Sequence, residues 1–163
     1  MNEKTVVHPI APVFDERSKI LILGSFPSVR SRETGFFYGH PQNRFWKVIS
    51  ALFDLSEPQS IEEKKTLLLS KKIALWDVIA SCDIVGSMDN AIKNAVPNDI
   101  SLILNTSGIE KIILNGKTAE KYFKKYIGSS LDIDAVCLPS TSPANAAWSL
   151  ERLTDEWRAA IFK

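Results

Sequence analysis

Short runs of branched apolar residues alternate along this chain with stretches whose apolar positions recur every three or four residues. Residues 18–23 form the first run, which stops at Gly24. Residues 72–78 hold the second, with Ile73, Ala74, Leu75 and Trp76 unbroken by a polar residue. Such runs suit parallel strands covered on both faces. Residues 111–114 and 135–138 read as a third and fourth strand. Between the runs the helical period returns. Residues 43–53 place Phe45, Ile49, Leu52 and Phe53 on one face. Ser60 and Glu63 form a capping-box pattern for a helix through Leu69. Asn98 is placed to cap a short helix carrying Ile100, Ile103 and Leu104. Ala119, Tyr122, Phe123 and Tyr126 mark a helix ended by Gly128. A last helix is expected from Asn145 to the C-terminus, with Leu150, Leu153, Trp157 and Ile161 inward. Residues 80–97 read as irregular or partly helical. Asn115-Gly116 is a hairpin signal, but no partner strand follows it.

Strands alternating with helices imply right-handed crossovers. The expected fold is α/β, a three-layer α/β/α arrangement around a central four-stranded parallel sheet. Ligands of such sheets bind beyond the carboxyl ends of the strands. That rule gathers residues 24–43, Asp77, Asn115-Gly116 and residues 139–145 onto one edge. The longest connection, residues 24–43, is rich in Gly, Pro, Ser and aromatics. Its length suits a functional loop. It does not read GxxxxGK[ST], so a nucleoside triphosphatase is set aside. Aromatics interleaved with Gly, Arg and His suit stacking on a flat ring such as a nucleobase.

Composition narrows the picture. With 163 residues, 45% of them hydrophobic and 24% charged, a single domain over residues 1–163 with a sizeable core is expected. A net charge of +1 argues against a broadly basic nucleic-acid coat, though not against a local basic face. No apolar run approaches the ~18 residues of a membrane span. The start MNEKTVVHPIAP has no signal-peptide apolar core, so cytoplasmic residence is the expectation. Cys82 and Cys137 are too few and too far apart for a zinc or iron–sulfur motif; each reads as a buried thiol, and no metal is expected.

Three segments carry a resemblance. They are GSFPS at residues 24–28, TGFFYGHPQNRFWKVI at residues 34–49 and LPSTSPANA at residues 138–146. In this order and spacing the chain resembles the uracil-DNA glycosylase superfamily over nearly its whole length. It looks most like the hypoxanthine-DNA (deoxyinosine) glycosylase branch. In the mismatch-specific uracil branch a catalytic Asn stands two residues after the first Gly of the motif. Phe26 stands there in this chain, and a phenyl ring cannot position a water. In the hypoxanthine branch an Asn at the start of the following helix is catalytic, and Asn43 matches it. The resemblance implies a monofunctional DNA-repair glycosylase that flips out a deaminated base and hydrolyses its N-glycosidic bond without metal or cofactor. Hypoxanthine is the first expected base and uracil the second. The expected partner is DNA containing such a base, and monomer is the default state. A catalytically silent nucleic-acid-binding relative and an enzyme acting on a free nucleoside are the alternatives.

Roles follow residue by residue. Asn43 is expected to orient the attacking water by accepting from it, and is equally placed as a helix cap. Asp77 accepts from N1–H of hypoxanthine or assists the water, unless it only caps a turn. Tyr38 aligns with the aromatic that stacks on the base, whereas Phe36 and Phe37 suit the core. Gly24, Ser25 and Phe26 offer loop backbone to the base, or merely turn the chain. Asn115 reaches the pocket or serves as a left-handed turn residue. His40 holds its loop by hydrogen bonding. Ser140, Thr141, Ser142 and Asn145 are candidate phosphate donors in the loop starting at Pro139, with Pro143 and Ala144 as a wedge into the base stack; the bland alternative is that this loop only starts the last helix. Arg30, Arg32 and Arg44 are further phosphate candidates. The Lys pairs at 64–65, 71–72 and 124–125 read as solvated faces. No Lys is placed as a Schiff-base nucleophile, so no strand cleavage is expected.

Overall fold

The computed structural model describes residues 4–84, 92–128 and 131–162. In chain order the elements are β1 (Lys4–Val7), β2 (Ile20–Gly24), α1 (Val29–Thr34), α2 (Phe45–Leu52), α3 (Ile61–Ser70), β3 (Ile73–Asp77), β4 (Ile79–Ile84), β5 (Ile92–Pro97), α4 (Ser101–Thr106), β6 (Lys111–Asn115), α5 (Lys117–Tyr126), β7 (Asp134–Leu138) and α6 (Leu150–Ile161). Four strands form the parallel sheet, ordered β3-β2-β6-β7. Their register aligns the carboxyl ends: Gly24 lies opposite Asp77, Leu23 opposite Leu114, and Asn115 opposite Leu138.

Side chains alternate across this sheet, and each face has its own core. On one face Ile22, Ile73, Leu75 and Ile113 pack with Phe45 and Ile49 of α2, Leu68 of α3, and Leu153 and Trp157 of α6. On the other, Leu21, Leu23, Ala74, Ile112 and Leu114 pack with Ile103 of α4, and with Ala119, Tyr122 and Phe123 of α5. The expected three layers are present. The continuous apolar run of β3 belongs to an outer strand. Its free edge is partly covered by Val13, which exchanges backbone hydrogen bonds of 3.0 and 2.9 Å with Leu75.

Several expectations need correction. Residues 80–97 are not irregular or helical where they are described: β4 and β5 pair antiparallel, and β1 adds to β4, giving a second sheet ordered β1-β4-β5. Residues 85–91 of that stretch lie outside the described residues. The strands IASCDI and IKNAVP carry Ser, Asp, Lys and Asn, so they show no clean alternation. They form because the distant β1 supplies a partner and because Cys82 and Ile84 reach the core. Residues 24–43 are not wholly loop. Helix α1 sits within them, capped by the Ser28 hydroxyl and closed by Gly35 at φ 78°. With only Val29 apolar, α1 has no stripe to reveal it. The last helix starts at Leu150 rather than Asn145, because Ser149 takes the cap and accepts from Arg152 N–H. Asn98 does not cap α4. Its Nδ2 donates to the carbonyls of Asp77 and Ile79, at 2.9 and 3.2 Å, while Asp99 accepts from Ser101 N–H. The capping box of Ser60 and Glu63 is formed as expected.

Trp157 joins the core to the sheet edge. Its ring is fully buried and its Nε1–H donates to the Pro139 carbonyl at 3.0 Å. Trp157→Ala is expected to cost about 3–5 kcal/mol, the range for emptying a large aromatic site. The urea unfolding midpoint measures it.

Candidate active-site cleft

The aligned strand ends form the floor of an open cleft of about 1110 Å³. Gly24, Ser25, Phe26, Tyr38, His40, Asn43, Asp77, Asn115 and the whole of residues 139–145 line it. Two polar networks occupy opposite sides of this floor, one at β6 and β7, the other at β3.

On the β6–β7 side, Asn115 and Thr141 hold each other. Asn115 Nδ2 donates to Thr141 Oγ1 and Thr141 N–H donates to Asn115 Oδ1, both at 3.1 Å. The fully buried Thr141 hydroxyl then donates to Asn43 Oδ1 at 2.9 Å. Phe45 N–H donates to the same Oδ1 at 2.9 Å, so Asn43 also caps the start of α2. Both lone pairs of that oxygen are therefore taken, and the expected acceptance from water is redirected: the Nδ2 hydrogens are what Asn43 has to offer a ligand. Asn115 is not the left-handed residue of its turn. Gly116 is, at φ 97°, and a Cβ there would lie 2.9 Å from Ser140 Cβ.

The other network contains a residue that sequence reasoning missed. His8 Nδ1 accepts from Ile10 N–H at 3.2 Å, so the ring hydrogen sits on Nε2. Nε2–H donates to Asp77 Oδ2 at 2.8 Å. Asp77 is not a turn cap; it is a buried carboxylate, and both side chains are nearly dry, at 3% and 5% exposed. The imidazole stands among three aromatic rings, with centroids 5.8 Å from Phe26, 6.0 Å from Phe37 and 6.3 Å from Trp76. The other carboxylate oxygen lies over Gly24, where a Cβ would collide with Asp77 Oδ1 and Tyr38 Oη. Only glycine permits that approach. Nothing local marked His8, which lies 69 residues from Asp77.

The remaining loop residues are placed as follows. The carbonyls of Gly24 and Ser25 accept from Val78 and Ile79 N–H at 2.8 and 3.0 Å. These bonds join β2 to the β3–β4 connection. Phe26 is buried, edge-on to His8 and 5.8 Å from the Arg32 guanidinium carbon. Arg32 Nε is buried without a hydrogen-bond partner among the described residues. Tyr38 has a left-handed backbone, φ 55°, and one face of its ring stacks on Phe45 at 4.2 Å. Phe36 and Phe37 lie in the core. His40 accepts from Gln42 N–H at its Nδ1 and from Asn43 N–H at its carbonyl.

Arg44 does not face outward toward a phosphate. Its guanidinium donates to the carbonyls of Trp148, Ser142 and Asn145, the last at 3.0 Å. The loop also uses its own side chains. Asn145 Nδ2 donates to the Ser140 carbonyl at 3.0 Å, Ser140 Oγ accepts from Ser142 N–H at 3.0 Å, and Ser142 Oγ accepts from Ala144 N–H at 3.2 Å. Pro143 is half-buried and Ala144 exposed.

A sequence profile described as the uracil DNA glycosylase superfamily matches residues 11–163. The chain belongs to this superfamily. It is 34% identical over 151 residues to a protein of Methanosarcina acetivorans named hypoxanthine DNA glycosylase, covering 91% of this chain and 94% of that one. A protein of the same name from Methanosarcina barkeri is 34% identical over 153 residues, covering 92% and 94%. A solution NMR structure from Methanosarcina acetivorans, described as that of a candidate uracil DNA glycosylase, superposes with a TM-score of 0.79 at 33% identity, covering 92% of each chain. This superfamily member holds one thiol at the cleft, Cys137. Burial, and secondarily Glu120, push its pKa up, so it stays protonated at neutral pH and is a poor nucleophile. Among the described residues no three His, Cys, Asp or Glu side chains gather as metal ligands.

Arg44→Ala is expected to loosen residues 142–148 without unfolding the sheet. Hydrogen exchange of the Asn145 and Trp148 amides, which donate within this loop, should quicken by about tenfold or more.

Proposed function

We propose that this protein is a monofunctional DNA glycosylase that removes a deaminated base, hypoxanthine first, by hydrolysing its N-glycosidic bond. The observation that carries the reading is the Asn43 amide, locked by Thr141 and by the start of α2 at the edge of the cleft. The names of its relatives, at 34% identity over nine-tenths of the chain, support the choice of hypoxanthine over uracil. The proposal extends to a single-domain monomer working on DNA in the cytoplasm without metal or cofactor.

The reaction breaks the C1′–N9 bond, and the electron pair leaves with the base. Water adds to the oxocarbenium-like sugar and loses a proton, giving an abasic site and free hypoxanthine. The principal need is to stabilise charge on the departing base. Asn43 meets it with Nδ2–H, donated to an acceptor nitrogen of the purine. Its oxygen, held from two directions, keeps the amide from rotating. Thr141 and Asn115 act through Asn43 and set its position. The open face of Tyr38 receives the flipped ring, its other face being filled by Phe45. The loop at residues 139–145, ordered by Arg44 and by its own turns, meets the DNA strand beside the vacated stack.

The test uses a labelled duplex with one central deoxyinosine, a matched duplex with deoxyuridine, and alkali to reveal abasic sites. Wild type should release hypoxanthine faster than uracil. Asn43→Ala should lose about a hundredfold or more with folding intact. Asn43→Asp keeps an oxygen for Thr141 and Phe45 N–H but has no donor, so it should lose as much. A wild type that releases neither base would sink the glycosylase reading, and dominant uracil release would move the substrate to the runner-up.

A further inference from the structure

His8 has no place in the reaction just described, yet its side chain, beside the cleft, is only 3% exposed. Three aromatic rings surround it, and its hydrogen is directed by Ile10 N–H onto the side of Asp77. That arrangement makes the two carboxylate oxygens unequal. Oδ2 is committed to His8, and Oδ1 lies over Gly24 beside the Tyr38 hydroxyl, at the cleft. The strand register places this end of the floor at β3, whereas the Asn43 network sits at the β6–β7 end. Tyr38 and Gly24 lie between them. A purine lying against Tyr38 would meet a donor from Asn43 at one end and an acceptor from Asp77 at the other.

We propose that His8 is a positioning residue for base selection: by holding Oδ2 it fixes Oδ1 as an acceptor that admits a base carrying a ring N–H and rejects one carrying a lone pair there. Hypoxanthine presents N1–H. Adenine presents the bare N1 lone pair, which the carboxylate oxygen repels. In a site built to accept a hydrogen bond, the unpaired partner is costly, and in this dry corner water cannot replace it. Normal adenine is thereby excluded by the same group that reads its deamination product. Phe26 has a part in this: its ring closes the box around the imidazole. The proposal rests on hypoxanthine DNA as the ligand of this cleft.

The direction of the His8 donor makes an inversion testable. In Asp77→Asn the side-chain oxygen turns to accept from His8 Nε2–H, which leaves NH2 over Gly24. The site then presents a donor, suited to adenine and not to hypoxanthine. Removing His8 as well frees the amide to turn either way.

Binding is measured in an Asn43→Ala background, with duplexes holding one deoxyinosine or one deoxyadenosine. Each stands opposite a stable abasic analogue, so that pairing strength does not differ. The parent should prefer inosine by about tenfold or more. His8→Ala should lose most of that preference, and His8→Gln, which restores a donor, should recover much of it. Asp77→Asn should reverse the preference, and the Asp77→Asn, His8→Ala pair should have none. Full inosine preference in folded His8→Ala overturns the proposal, and so does equal loss of both ligands in Asp77→Asn. Should His8→Ala not fold, His8→Gln and Asp77→Asn still decide. A wild type that prefers inosine but releases no base removes the glycosylase reading and leaves base selection standing. One that releases hypoxanthine without discriminating against adenine does the reverse.

Discussion

The register in which β2 pairs with β3 on one side and β6 on the other sets Gly24 beside Asp77 and Leu23 beside Leu114. Because a strand's side chains alternate with period two, a slip of one residue would send Leu21 and Leu23 to the wrong face and carry Asp77 away from Gly24. The two apolar cores forbid that slip, since each is filled by residues of strict parity in β2 and β6. Core packing therefore fixes the polar geometry at the strand ends. Gly24 then decides how close Asp77 and Tyr38 can come to the backbone.

The two networks on that floor solve different problems. At Asn43 the groups are neutral, and the task is to hold an amide in one orientation; a hydroxyl and a backbone N–H do so. At Asp77 a carboxylate is held away from water. Desolvating such a group is expensive, and a directed donor from His8 offsets part of the cost. The surrounding rings keep water out, which sharpens both the attraction of a matching donor and the repulsion of a lone pair. Phe26 is best understood here. Its ring stands edge-on to His8 and serves as a wall of the imidazole box.

The loop after β7 is ordered before any ligand arrives. Arg44 reaches its carbonyls, Ser140 and Ser142 close short turns, Asn145 ties back to Ser140, and Trp157 holds the Pro139 carbonyl. Side chains that look like phosphate donors in the sequence are largely engaged in shaping this loop. Ordering it within the free protein lowers the conformational entropy lost when a ligand binds.

The sequence by itself determined the parallel α/β core, through uninterrupted apolar runs and helical spacing, and it pointed to the strand-end edge where the cleft lies. It also held the three segments that carry the family resemblance, and the capping box of α3. It did not reveal β1, β4 and β5, whose polar residues obscure their alternation; β1 reaches β4 across the chain, pairing Lys4 with Ile84 and Val7 with Ser81. Nor did it reveal the inward turn of Arg44, the use of Asn98 on carbonyls, or His8. The reason is common to all of these. Apolar periodicity reports what a residue does along its own helix or strand. The partner of a buried donor or acceptor is chosen by what distant chain segments bring within hydrogen-bond reach, and only the folded arrangement brings His8 to Asp77 and Thr141 to Asn43.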